Sequence, residues 1–291
     1  MQLHNSHQNE LYRKITTLFV VFTLICTASY AGYTYLSDQD SNYNDQIATI
    51  SHQIAVKSAE SAREAKRKEP VYITLPSAKT IRAIVEDYSV DSSTWVLVSK
   101  THAISANYTP TDLKIPNVTT RTDKSDAERS VRTFIEKPLI NLFNAASNAG
   151  YQLMIGSGYR SAALQKVYFD SLAASVGAAE ANQAIAMPGQ SEHQTGLAVD
   201  ISTIARNCYL DNCFGQTSDG LWLVNNAYKY GFTLRYPSGK ESITGYQYES
   251  WHFRYVGIDL ATALHESGLT LDEAWSYLVK AESTLKKNGA I

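Results

Sequence analysis

The sequence predicts an α+β fold, and two observations carry that expectation. Amphipathic helical stretches and short strand-like runs share one region of the chain but do not follow a regular βαβ alternation. The 291 residues are 44% hydrophobic and 19% charged, which is enough apolar chain for a packed core and unlike a disordered sequence. Lys plus Arg number 26 and Asp plus Glu 28, so the basic footprint of a nucleic-acid binder is missing. Three cysteines, Cys26, Cys208 and Cys213, are too few for a disulfide scaffold, so packing must hold the fold.

Residues 1–14 read as a cytoplasmic tail. From Ile15 to Ser37 there is no charge, Arg13 and Lys14 precede the run, and Asp38 and Asp40 come after it. About 20 apolar residues cross a bilayer as a helix, and the positive-inside rule leaves the N-terminus in the cytoplasm. We read 15–37 as an uncleaved anchor, because apolar character persists through Tyr35 and Leu36. The rival is a cleaved signal peptide with Ser29-Tyr30-Ala31 as its small-x-small site. Either one exports the remainder of the chain. Residues 38–70 are polar, with Ile47, Ile50 and Ile54 at helical spacing ahead of alternating charges, and predict an exposed helical stalk ending before Pro70.

The globular region is expected at 71–291. Trp95 to Val98 reads as a strand. Ser125-x-x-Glu128 is a capping box, and the apolar positions after it predict one helix as far as Gly150, kinked at Pro138. Tyr151 to Ile155 reads as a strand. Ser161 to Ala174 reads as a helix with Leu164, Val167, Tyr168 and Leu172 inward. A short strand, Leu197 to Ile201, precedes a helix from Leu221 to Tyr230 that Gly231 stops. Phe232 to Tyr236 and Tyr248 to Val256 read as strands, and helices over Ile258 to Glu266 and Leu271 to Leu285 complete the chain.

Of seven histidines, His4, His7, His52, His102 and His265 lack chemical company. His193 lies in Ser191-Glu-His-Gln-Thr-Gly196-Leu-Ala-Val-Asp200, and His252 in Glu249-Ser-Trp-His252-Phe-Arg254. Two imidazoles and a carboxylate make a catalytic zinc shell with a fourth position for water. On one helix, His193 and Asp200 would stand about 10 Å apart, too far to share a metal. The chain must therefore turn between them, and Gly196 permits it. Glu249, three residues before His252, would face the opposite side of a straight strand, so a bend at Ser250 is needed. The alternative is a core histidine and a surface aspartate. Cys208 and Cys213 can close a disulfide worth about 2 kcal/mol outside the cytoplasm; a structural zinc reading lacks a nearby histidine.

Several motifs in order, Ser157-Gly-Tyr-Arg160-Ser161 with Gln165, Ser191 to Asp200, Gly231 to Pro237 and Glu249 to Gly257, make the region from about Trp95 to Ala274 resemble the zinc D-alanyl-D-alanine carboxypeptidases of the VanY type, which include peptidoglycan L,D-carboxypeptidases. The resemblance implies a small central antiparallel sheet with flanking helices and a zinc cleft on one face, the hedgehog/DD-peptidase-like arrangement. It implies that His193, Asp200 and His252 bind Zn2+, that Glu249 is the general base and that Arg160 polarises the substrate. Tyr159, Ser161, Gln165 and Ser191 would line the cleft. Arg254 and Tyr255 would support the site from behind. The family usually has proline where this chain has Ser250, which implies retuning beside the base. The activity implied is removal of a terminal D-alanine from peptidoglycan stem peptides in a bacterial envelope. An endopeptidase on the same scaffold, or a zinc-stabilised wall-binding module, are the alternatives.

Overall fold

The computed structural model describes residues 13–27, 41–67, 71–83 and 93–287. The chain divides into two compact units, Met1–Ala62 and Arg63–Ile291. In the first, helix α1 (residues 13–27) turns the hydroxyls of Thr17 and Thr27 back onto the carbonyls of Arg13 and Thr23. Among the described residues no helix is long and apolar enough to cross a membrane. The described part of α1 is shorter than the roughly 20 residues a span needs, and the rest of the expected 15–37 segment lies outside the described residues. Helix α2 (Ser41–Arg67) occupies the expected polar stretch, and its Ile50 and Ile54 are exposed.

The second unit is α+β. Its central sheet runs in the order β5-β6-β8-β7, all antiparallel, from β5 (Leu153–Ser157), β6 (Ala198–Thr203), β7 (Phe232–Leu234) and β8 (His252–Tyr255). Two further sheets have two antiparallel strands each: the hairpin of β1 (Val71–Thr74) with β2 (Thr80–Ala83), and β3 (Leu113–Lys114) with β4 (Val131–Arg132).

Period-two alternation sorts the sheet into two faces. Leu153, Ile155, Val199, Ile201, Phe232 and Phe253 enter one buried cluster with Leu139, Leu142, Phe143 and Ala146 of helix α4 (Glu136–Asn148). Their neighbours Asp200 and His252 take the other face. A bulge in β5 pairs Ile155 with Ile201 but Ser157 with Asp200, and Asp200 pairs with His252. Three polar side chains therefore stand side by side across three strands. A second cluster gathers the β1–β2 hairpin, Trp95 and Leu97 against helices α9 (Ile258–Ser267) and α10 (Leu271–Lys287).

The capping box forms as expected, but the helix it caps, α3 (Asp126–Arg129), lasts only four residues. The chain then leaves helical geometry because β4 pairs with β3, and because the Arg132 and Thr133 amides donate to Gly196 and Asp112. Pro138 sits in the first turn of α4, where its missing N–H interrupts no helical hydrogen bond. Helix α5 (Ala162–Val176) starts at its Ser161 cap, but Val167 is 60% exposed; the buried positions are Ala162 and Gln165. A short helix α6 (Ala178–Ala184) comes next. Helix α7 (Ser218–Asn226) continues as a 3-10 turn up to Gly231, and a helical turn α8 (Glu241–Thr244) precedes β8.

The segment from Trp95 to Val98 is buried, as its composition implies, but it is no strand. Arginines replace the ladder. Arg254 Nη2 donates to the carbonyls of Thr94 and Val96 at 3.0 and 2.8 Å, and Arg235 Nη2 reaches that of Val98 at 3.4 Å. The Trp95 indole donates to Val256 O at 2.8 Å. Both guanidinium groups converge on Glu192: Arg235 Nε and Arg254 Nη1 donate to its Oε1 at 2.8 and 2.6 Å. Arg235 also pairs with Asp272 at 2.5 Å. The side chains of Glu192, Arg235 and Arg254 are 0% exposed. Burial would raise the Glu192 carboxyl, but the two arginines outweigh it and hold the group well below the usual carboxylate range.

Removing one partner of such a knot strands buried charge. Glu192→Ala is expected to lower stability by about 3–5 kcal/mol, read from the urea unfolding midpoint. A loss below about 1 kcal/mol would show that the arginines are satisfied without it.

Candidate active site

The 3-10 turn Glu192–Thr195 ends on Gly196, whose φ of 68° lies in the left-handed region. A side chain there would press on Leu113 and Arg132. This reversal sends the chain straight into β6, and it is the turn that spacing requires between His193 and Asp200. The second turn also forms. Glu249 precedes β8, and the His252 amide donates to Glu249 O at 3.2 Å. The strand is shorter than the Tyr248 to Val256 expected, because the bend at Ser250 and Trp251 takes its first residues.

His193, Asp200 and His252 are all buried, with their ligand atoms within 4.8 Å of one another. His193 Nδ1 lies 2.6 Å from the Gly158 carbonyl, which fixes the proton there and leaves Nε2 as an acceptor 3.3 Å from Asp200 Oδ2. His252 Nδ1 lies 3.3 Å from Asp200 Oδ1, and its Nε2 lies 3.5 Å from Glu192 Oε2. Asp200 Oδ1 is buried without a hydrogen bond of ordinary geometry. A buried carboxylate whose two oxygens each face a ring nitrogen, one of them without an ordinary hydrogen bond, is the environment a divalent cation completes, so the set could hold a metal.

The electrostatics agree. Burial lowers His193, keeping it neutral. Burial opposes ionisation of Asp200, yet the two histidines hold it far below the usual range. Burial also opposes a proton on His252, but Asp200 and Glu192 outweigh it and raise this group to about 9. Both trends are those of a site built around positive charge.

Glu249 lies at the edge of this cluster, its Oε2 3.5 Å from His252 Nδ1. Burial pushes its carboxyl up to about 7. On the other side, Arg160 Nη1 donates to Gln165 Oε1 and Nη2 to Ser157 Oγ, both at 3.0 Å, with Asp200 Oδ2 at 3.9 Å. The guanidinium stands 5.0 Å above the Tyr168 ring. Gln165 is itself held by the Ala186 carbonyl at 2.6 Å. Tyr168 donates to Glu128 Oε1 at 2.6 Å, which ties this wall to α3. These groups line a cavity of about 320 Å³ together with Ser191, Tyr209, Leu210, Tyr236, Tyr246 and Trp251.

Of the expected cleft residues, the structure brings Gln165 and Ser191 to the cavity but not Tyr159 or Ser161. Ser161 spends its hydroxyl capping α5, accepting from the Leu164 amide, and the buried Tyr159 turns its hydroxyl towards Thr109. Sequence reasoning misses Glu192, Ser157, Trp251 and the Tyr209–Leu210 wall. Ser157 and Trp251 lie inside the motifs that carry the resemblance. Glu192 is adjacent to an expected ligand, so a carboxylate in a buried turn is the available signal. Cys208 and Cys213 are bonded.

Residues 128–258 match the family model VanY, D-alanyl-D-alanine carboxypeptidase. A D-alanyl-D-alanine carboxypeptidase of Enterococcus faecalis is 35% identical over 211 residues, 68% of this chain and 71% of that one. The solved LdcB LD-carboxypeptidase superposes with a TM-score of 0.61 at 40% identity, covering 70% of this chain and 98% of that chain. A mutant of the vancomycin-resistance D,D-pentapeptidase VanY in complex with Zn(II) gives 0.51 at 32%, covering 64% and 98%. Fold, site geometry and these likenesses agree, and the chain belongs to the VanY family of D-alanyl-D-alanine carboxypeptidases.

Proposed function

We propose that the protein is a zinc-dependent carboxypeptidase that removes the terminal D-alanine of a peptidoglycan stem peptide, across a D,D or an L,D bond. The observation that carries this reading is the buried His193–Asp200–His252 set, with an unsatisfied oxygen directed into it, standing between Glu249 and Arg160. Zinc held there would supply Lewis-acid activation of water and of the scissile carbonyl.

The chain's own groups supply the rest. Glu249 takes a proton from the attacking water and returns it to the leaving amine. Burial has raised its proton affinity towards neutrality, which suits both halves of that transfer. Arg160 offers its fork to the substrate's carboxylate or to the anion that develops. Ser157 and Gln165 fix the plane of the fork, so little is lost in orienting it during reaction. Tyr168, Tyr209, Leu210 and Trp251 give the cavity apolar walls that keep stray water from the amide.

We place the catalytic unit outside the cytoplasm, held by the apolar 15–37 segment. The support is the charge-free run behind Arg13 and Lys14 and the Cys208–Cys213 disulfide, which persists in oxidising compartments.

Incubated with purified muropeptides, the zinc-loaded protein is expected to release one D-alanine per stem. Glu249→Gln should cut turnover by roughly 10²–10⁴-fold with zinc stoichiometry unchanged. Internal cleavage of the stem, or full activity in that variant, overturns the assignment. The base must be ionised to act, so kcat/KM rises as pH rises through its pKa. A cation beside Glu249 lowers the cation-free value of about 7, so the acid limb of the zinc enzyme is expected below pH 7. A limb at or above pH 7 contradicts this role. Expressed in a bacterial host, the full chain should sediment with membranes and lose its catalytic unit to protease added outside the cytoplasm. Protection under those conditions refutes the placement.

A further inference from the structure

The bonded loop between Cys208 and Cys213 does more than close on itself. Its tip residues Tyr209 and Leu210 line the active-site cavity. Cys208 and Leu210 hold φ values of 56° and 49°, and Arg206 just before them 58°, a left-handed conformation unfavourable for residues with side chains. The bridge crosses the segment that must stay in this shape. Tyr209 is clamped from outside, its hydroxyl accepting from Arg121 Nη1 at 2.7 Å with the guanidinium 4.8 Å from its ring.

The same loop touches the turn that carries Glu249. Ser250, 0% exposed, donates its hydroxyl to the Asp211 carbonyl at 3.2 Å. Asp211 lies inside the bridged loop, and its side chain caps the 3-10 turn Asn212–Gln216 by accepting from the Cys213 amide at 2.8 Å. Within that turn, a side chain on Gly215 would run into Tyr248 Oη and meet Ser250 Cβ at 2.9 Å. The Gly215 backbone is thus seated directly on the side chains of Tyr248 and Ser250. The Trp251 carbonyl accepts from the Ile201 amide at 2.9 Å, anchoring the far end of the turn to β6. Glu249 stands between these fixed points.

We propose that the Cys208–Cys213 loop, acting through the Ser250 hydroxyl, is a positioning element that sets the Glu249 carboxylate, and that its Tyr209–Leu210 tip sets the width of the substrate cleft. Ser250 and the bridge touch no reacting atom; they act through Glu249 and through the wall. The inference rests on the carboxypeptidase reading.

The test separates kcat from KM. Ser250→Ala is expected to lower kcat by about tenfold to a hundredfold, with KM and zinc affinity unchanged, since only the turn beside the base loses its tether. Cys208→Ser with Cys213→Ser is expected to lower kcat and also raise KM, because the wall is released as well. Leu210→Ala should raise KM alone. A bridge that merely stabilises the fold would lower the melting temperature of the double variant but leave kcat and KM at wild-type values below that temperature. That result, or a Ser250→Ala enzyme kinetically identical to wild type, overturns the proposal. Should the double cysteine variant not fold, Ser250→Ala and Leu210→Ala still decide it. Wild-type protein run alongside distinguishes the two failures: no D-alanine release by wild type refutes the carboxypeptidase reading and this inference with it, whereas active wild type with unchanged variants refutes this inference alone.

Discussion

The burial of one carboxylate organises this domain. Glu192 sits at the start of the turn that carries His193, and it accepts from Arg254 on β8 and from Arg235, the residue after β7. The arginines in turn hold the carbonyls of Thr94, Val96 and Val98. One anion therefore connects the metal-site turn, two strands and an irregular segment that has no ladder of its own. Ionised groups this deep are costly unless every member is paired. The remaining Glu192 oxygen faces His252, so the demand for pairing extends to the metal site itself.

The sheet supplies the complementary order. Its two faces do different work because side chains alternate. One side is a dry core of Val199, Ile201, Phe232 and Phe253 under α4, and the other presents Ser157, Asp200 and His252 in one row. Groups placed by paired strands stay put when charge develops, which is the condition for electrostatic catalysis. The walls come instead from α5 and the loops bearing Tyr209 and Trp251. Positioning of the metal and shaping of the substrate cleft are thus entrusted to different parts of the backbone.

Much of this is legible in the sequence. The α4 and α10 patterns, the capping box at Ser125, the stop at Gly231 and the need for a turn at Gly196 all come from periodicity and local chemistry. The misreadings share a cause. Trp95 to Val98 has strand composition, but side-chain donors from distant arginines satisfy its backbone, and no local pattern encodes that. The helix expected to run from Ser125 to Gly150 breaks because β3 claims Val131 and Arg132, a tertiary pairing that overrides a continuous apolar stripe. Tyr159 and Ser161 flank Arg160 in the motif, but neighbours on a chain face different ways. One becomes a packing residue and the other a helix cap.

The bulge in β5 has an evolutionary consequence. Ser157 reaches the Asp200 row only because two residues, Gly156 and Ser157, occupy the space of one opposite β6. Delete a residue there and the turn after Ser157, whose Gly158 and Tyr159 amides are held by the carbonyls of Glu128 and Ser130, falls one residue out of place against the sheet. Insert one upstream and Leu153 and Ile155 leave the core together. This stretch behaves like a reading frame. Divergence along it can proceed by exchange of side chains but not by change of length, whereas the loops forming the cleft walls are under no such arithmetic.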